Sequence, residues 1–138
     1  IPLGRDPYVL LGPAQRGKKA PFALRDLVGQ PMIGQKESDY QAHVDDGLRA
    51  LGVNPQYVFR TNDNGGVQAM VRAGLGVAVM PQLTVDATDP EVSVRPLTPA
   101  LEPRTIYVGQ RLEGARLPAA ERVVALSRSI AKAHLQRM

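Results

Sequence analysis

The chain switches repeatedly between unbroken apolar runs and helical apolar stripes. "YVLL" (Tyr8 to Leu11) reads as a short buried strand, and "PMIG" from Pro31 as a second. Between them, "PFALRDLVG" reads as a short helix closed by Gly29. In "ESDYQAHVDDGLRALG", Tyr40, Val44, Leu48 and Leu51 fall at i, i+4, i+8 and i+11, one face of a helix. Ser38 with Gln41 three residues on forms a capping-box pattern, and Gly52 is the expected stop. "QYVFRT" is β-rich and ends in the polar knot "TNDNGG". The next helix carries Val67, Met70 and Val71 on one face. Gly74 sits at its C-cap, and Leu75 is placed to fold back over the last turn. "VAVMP" follows as an all-apolar strand ended by Pro81.

The later pattern differs. "EVSVRPL" and "RTIYVGQ" alternate as half-exposed or edge strands do. "LPAAERVVALSRSIAKAHLQRM" reads as one long helix with Pro118 in its first turn and Val123, Leu126, Ile130 and Ala133 as its apolar stripe. "DATDPE" and "PLTPALEPR" are the best boundary candidates. Strands that are apolar throughout are buried on both faces, as in parallel sheets covered by helices. The order of elements therefore predicts an α/β domain with a largely parallel sheet.

Composition narrows the function classes. The 138 residues suit one domain or one lobe of a larger unit, and 43% hydrophobic content supports a core. Aromatics are 4%, with no Trp, which weakens readings based on stacking against bases or sugars. Cys is absent, which excludes disulfides, thiolate metal sites and thiol catalysis. The formal net charge is +4, but the arginines are scattered. The densest basic spots, "QRGKK" and "RSIAKAHLQRM", form no stripe interleaved with aromatics, so a solvated basic surface accounts for them. No run approaches a membrane span, and "IPLGRDPYVLL" lacks the pattern of a signal peptide. The chain opens in mid-pattern at Ile1, so a piece of a longer protein is expected.

Two strand ends gather polar groups. "GQKES" follows the "PMI" strand and "TNDNGG" follows "YVFR". In open α/β sheets ligands sit beyond the carboxyl ends of the strands. Both segments also feed helix N-termini, where backbone N–H groups and the dipole favour anions. Gly65 and Gly66 would allow close approach to the backbone. Helix capping by Ser38, Asp63 and Asn64 explains each of these residues singly, and both readings stand at this point.

Catalytic and metal readings are poorer. His43 and Asp39 lie one helical turn apart, but no third metal ligand is evident. His134 suits a helix C-terminus. There is no G-x-S-x-G elbow, and "GLG" at Gly74 to Gly76 follows a helix rather than a strand. Asp45 and Asp46 face different directions on a helix. Met70 and Met80 suit a core. No catalytic residue, metal or cofactor is expected.

With these elements laid out, the chain resembles the effector-binding domain of LysR-type transcriptional regulators. "MVRAGLGVAVMPQLTVD" carries the resemblance most specifically. "DPYVLLGP", "LRDLVGQPMIG", "YVFRTNDNGGVQAMV" and "TIYVGQRLEGARLPAAERVVALSRSIAK" support it. The resemblance implies a fold like the type II periplasmic binding proteins, with an effector pocket between two α/β lobes. Residues 1–98 would be the second lobe, and 99–138 a return strand and helix belonging to the first. It implies a bacterial, cytoplasmic, dimeric or tetrameric regulator that binds DNA through a winged helix-turn-helix not present in these residues. The pocket wall would comprise Gln35, Lys36, Glu37 and Ser38, then Thr61, Asn62, Asp63, Asn64 and Gly65, with Met80 at the crossover. Lys36 and the N–H groups at Asn64 to Gly66 would suit a small carboxylate-bearing metabolite. The stripe of Val123, Leu126 and Ile130 would lie exposed or against another chain. A solute-binding lobe of a transport system and a small α/β enzyme are the alternative expectations.

Overall fold

A computed structural model describes residues 1–14, 20–110 and 117–135. The basic segment "QRGKK" lies outside the described residues. The elements are β1 (Pro2–Asp6), β2 (Tyr8–Pro13), β3 (Phe22–Ala23), β4 (Pro31–Gly34), α1 (Asp39–Ala50), β5 (Gln56–Arg60), α2 (Asn64–Arg72), β6 (Ala78–Pro81), β7 (Val92–Thr98), β8 (Arg104–Tyr107) and α3 (Pro118–His134). The chain divides into two compact units: Tyr8–Glu102, and Ile1–Pro7 with Pro103–Met138. The sequence reading sets its boundary at 98/99; the division in the structure follows Glu102 and groups the first seven residues with the last segment.

In the larger unit the strands run in the order β3-β7-β2-β6, with β4-β5 as a parallel pair. A parallel bridge between Met32 and Val77 links β4 to the residue preceding β6. Ile33 N–H donates to Val77 O at 2.8 Å, and Val77 N–H to Pro31 O at 3.0 Å. The parallel expectation holds at β4–β5, at β3–β7 and at this bridge. It does not extend to β2, which runs antiparallel to both β6 and β7. Apolar continuity reports burial on two faces and carries no information about strand direction, so the pattern of "YVLL" could not distinguish the two.

Both faces of these strands are indeed covered. Tyr8, Leu10, Met32 and Val79 pack with Val44 and Leu48 of α1 and with Leu24 and Leu27. Leu11, Ile33, Ala78 and Met80 turn the other way, onto Val67 and Val71 of α2. Alternate residues of one apolar run thus serve opposite layers.

The helix ends are legible in the same terms. Leu75 N–H donates to Met70 O and Gly74 N–H to Val71 O, a Schellman pair, with Gly74 at φ 79°. Leu75 itself stays half exposed. "PFALRDLVG" departs from expectation. It forms the two-residue strand β3 and a 3₁₀ turn over Leu24–Leu27, because only Leu24 and Leu27 find the core and Gly29 turns the chain away at φ 77°.

In the smaller unit β1 pairs antiparallel with β8, a strand partnership the sequence reading did not include. Asp6 is fully buried and accepts from Arg104 Nε at 2.9 Å and Nη2 at 2.8 Å. A buried carboxylate is tolerable only with such a charged, hydrogen-bonded partner. Helix α3 packs on β1, and Ala131 is its one fully buried residue among those described. Leu117, Val123, Leu126 and Ile130 are each more than half exposed. The expected apolar stripe therefore lies outward in this chain, and the covered side carries Ala131 with the half-buried Val124 and Ser127.

The seam at Gly76 gives a stability test. A Cβ there would lie 2.5 Å from Pro31 O, a backbone atom that cannot swing away. Gly76→Ala is expected to lower unfolding stability by about 1–3 kcal/mol, the usual cost of overpacking. Ile130→Ala, at an exposed site, is expected to change it by less than about 0.5 kcal/mol. Urea denaturation of the two variants measures the contrast, and equal effects would contradict it.

Candidate functional site

The polar loops that follow β4 and β5 lie side by side because those strands are parallel neighbours. Thr61 N–H donates to Gly34 O at 3.0 Å, extending the pairing one step past the strands. Lys36 N–H then donates to Asn62 Oδ1 at 3.1 Å, and Gln35 Nε2 to Asn64 Oδ1 at 2.6 Å. Gln35–Ser38 and Thr61–Gly65 thus form one continuous polar surface at the start of two helices. Lys36, Glu37, Ser38, Asn62, Asp63 and Gly65 are exposed on it; Gln35, Thr61 and Asn64 are half-buried.

Part of this surface is helix capping. Ser38 Oγ accepts from Gln41 N–H at 3.2 Å and caps α1. Asp63 Oδ1 accepts from Gly65 N–H at 3.1 Å and caps α2. The Gly65 N–H expected for a ligand is therefore already used by Asp63. Capping is worth about 1 kcal/mol per residue and is sufficient reason for these two side chains. It does not account for Lys36, Asn62 or the Gln35–Asn64 bond.

Met80 does not join the group. Its side chain is 3% exposed and packs with Leu11, Ile33, Val67 and Val71. On a strand buried on both faces the alternate residue is committed to the core, and Met80 falls on the α2 face.

Four residues that sequence reasoning missed stand behind the polar surface. The capping box is completed only on one side, since the Gln41 side chain does not return to Ser38. Its Oε1 accepts from Gln35 N–H at 2.8 Å, and its Nε2 donates to Asp45 Oδ1 and Tyr57 Oη, each at 2.8 Å. Tyr57 O–H donates to Asp45 Oδ1 at 2.5 Å. Arg60 has its guanidinium carbon 4.1 Å from the Tyr57 ring centre and its Nη2 3.9 Å from Asp45 Oδ2, and its Nη1 donates to Gln35 O at 3.0 Å. Burial, and then the hydrogen bond to Asp45, hold the Tyr57 phenol far above its ordinary pKa, so it remains a neutral donor. A signal was available: Gln41, Val44, Asp45 and Leu48 follow a helical stripe, which puts two polar residues on the buried face.

The remaining candidates separate. Asp45 is buried in this network, whereas Asp46 is exposed and pairs with Arg49 at 3.3 Å. His43 Nε2 lies 3.1 Å from Glu102 O, and its ring is 5.7 Å from that of Tyr8, so the pairing with Asp39 is not formed. Among the described residues no group of three or more His, Cys, Asp or Glu could hold a metal ion.

A second polar network anchors α2 on its far side. Gln68 is buried; its Nε2 donates to Asp86 O and Asp89 Oδ2, and its Oε1 accepts from Asp86 N–H. Arg72 Nε lies 3.6 Å from Asp89 Oδ2. This fixes the loop after β6 against the helix that carries Asn64 and Gly65.

The LysR substrate binding domain is the family whose pattern matches this sequence, over residues 1–131. The chain belongs to that family. Among curated proteins none matches. Solved structures share the fold. The C-terminal domain of a probable LysR family transcriptional regulator from Rhodococcus sp. RHA1 aligns with TM-score 0.74 and 23% identity, over 92% of this chain and 65% of that one. The effector binding domain of QuiR in complex with shikimate aligns at TM-score 0.75 and 16% identity, over 98% and 66%. The regulatory domain of CcmR from Synechocystis PCC6803, in complex with 2-PG, aligns at 0.71 and 15%, over 96% and 66%. This chain therefore spans about two thirds of the length of those domains. Its architecture is that of the type II periplasmic binding proteins. No helix among the described residues is long and apolar enough to cross a membrane.

The carboxylates around Gln68 supply a pH test. Asp86 is held below its ordinary value of 3.8 by the Thr88 hydroxyl and then the Thr88 N–H; Asp89 is held below 3.8 first by the Glu91 N–H and then by Gln68. A carboxylate lowered in the folded state stabilises fully above its unfolded pKa and loses that contribution as pH falls through the folded value. The Thr88 and Glu91 amide resonances are thus expected to titrate with midpoints below 3.8. Midpoints at or above 3.8 in an NMR titration would contradict the assignment.

Proposed function

We propose that this chain is the effector-sensing portion of a bacterial LysR-type transcriptional regulator. It binds a small, carboxylate-bearing metabolite on the surface formed by Gln35, Lys36, Glu37, Ser38, Thr61, Asn62, Asp63, Asn64 and Gly65. The observation that carries this reading is the joining of two strand-end loops through Lys36 N–H to Asn62 and Gln35 to Asn64. That joining sets the exposed Lys36 beside the start of α2, where the helix dipole also favours an anion. Family membership and the shikimate held by the QuiR domain, a small carboxylate, support the ligand class.

Residues 1–98 act as the second lobe, and 99–138 as the return strand and helix of the first. The grouping of Pro103–Met138 apart from Tyr8–Glu102 supports the second assignment, and Ile1–Pro7 group with that return segment through the pairing of β1 with β8. The exposed stripe of Val123, Leu126 and Ile130 is then a surface for the remainder of the first lobe or for a second copy in a dimer or tetramer. The regulator works in the cytoplasm, without a cofactor, and as a sensor rather than an enzyme. DNA is reached through a winged helix-turn-helix outside these residues. A metabolite changes promoter occupancy only by its differential affinity for two states of the regulator.

Lys36→Ala in the intact regulator tests the reading. A lost hydrogen bond to a charged group costs about 1.5–3 kcal/mol. The effector concentration for half-maximal change in promoter occupancy is therefore expected to rise tenfold or more, by the same estimate of about 1.5–3 kcal/mol. An unchanged response to every effector would overturn the assignment of this surface.

A further inference from the structure

We propose that Gln41, Asp45, Tyr57 and Arg60 are positioning residues for the pocket: they fix the peptide groups of Gln35 and thereby the loop that presents Lys36. The inference rests on the pocket assignment above and extends it to residues behind the surface.

Gln35 is the first residue past β4, where strand pairing has ended. Its backbone groups are held instead by side chains. The N–H donates to Gln41 Oε1 and the C=O accepts from Arg60 Nη1. Both holding groups are themselves fixed by the same pair. Gln41 donates twice, to Asp45 Oδ1 and Tyr57 Oη, which leaves its Oε1 aimed at Gln35. Arg60 rests on the Tyr57 ring and faces Asp45 Oδ2. Planar guanidinium suits this double duty, whereas a lysine ammonium would not.

The Tyr57 ring reaches this position across Gly34. A Cβ at Gly34 would lie 2.5 Å from Tyr57 Cε1. The glycine before the loop therefore admits the ring that orients the loop. Gln41 and Asp45 are 3% and 7% exposed, so their hydrogen bonds are formed away from bulk water and hold tight geometry. Pre-organised loops bind ligands better because ordering is complete before binding.

A network serving only global stability would slow exchange everywhere. A positioning network protects one loop. Residue-resolved amide hydrogen exchange by NMR, on the nitrogen-15-labelled protein without ligand, separates the two. Gln41→Met is expected to speed exchange of the Gln35 amide about tenfold, and Tyr57→Phe by a factor of about three, while Leu10 and Val79 keep their rates. Arg60→Lys, which keeps the charge and the core, is expected to speed the Lys36 amide similarly. Unchanged rates at Gln35 and Lys36, or a uniform acceleration that includes β2 and β6, would overturn the proposal. The measurement contains no ligand, so an error in the pocket assignment leaves it unaffected and shows only in the Lys36→Ala response.

Discussion

At Gly76 the chain passes so close to the Pro31 carbonyl that a Cβ would lie 2.5 Å from the oxygen. That approach allows Val77 to bond both Pro31 and Ile33, and so to join the β4–β5 pair to the strands around β2. The rest of the larger unit follows from the seam. It sets Met32 and Ile33 on opposite faces, one toward α1 and the other toward α2. The parallel pairing of β4 with β5 in turn sets their ends side by side, which is why two polar loops distant in sequence meet.

At those loops two uses of the same residues compete. Ser38 and Asp63 have completed their work by capping, and each contributes about 1 kcal/mol to its helix. A ligand that displaced them would lose that contribution. Lys36, Asn62 and Asn64 carry no such duty to a helix end, and their bonds run between loops rather than within one. The surface is thus partly a structural requirement and partly an arrangement with surplus polarity. The surplus is what a small acidic ligand would use.

Much of this was legible in the sequence, and the failures have physical causes. The caps at Ser38, Gly52 and Gly74 followed from local backbone chemistry, which acts over four or five residues. The proximity of "QKES" to "TNDN" followed from the rule for parallel strand ends. The antiparallel course of β2 did not, since burial pattern is blind to direction. For Met80 the sequence supported both a core place and a place in the pocket wall; it is in the core, and the face it takes depends on the register of β6 against β2. The Gln41–Asp45–Tyr57–Arg60 network spans helix and strand, and its parts are individually ordinary. Only the two polar positions within the α1 stripe hinted at it.

The account stands most directly on where a ligand binds. The measurement is amide chemical-shift mapping on the labelled protein, with whichever small carboxylate a screen against the intact regulator selects. The account predicts saturable shifts centred on Gln35 to Ser38 and Thr61 to Gly65. Shifts centred elsewhere, for example around Arg72 and Asp89, or a screen that selects no carboxylate, would contradict it.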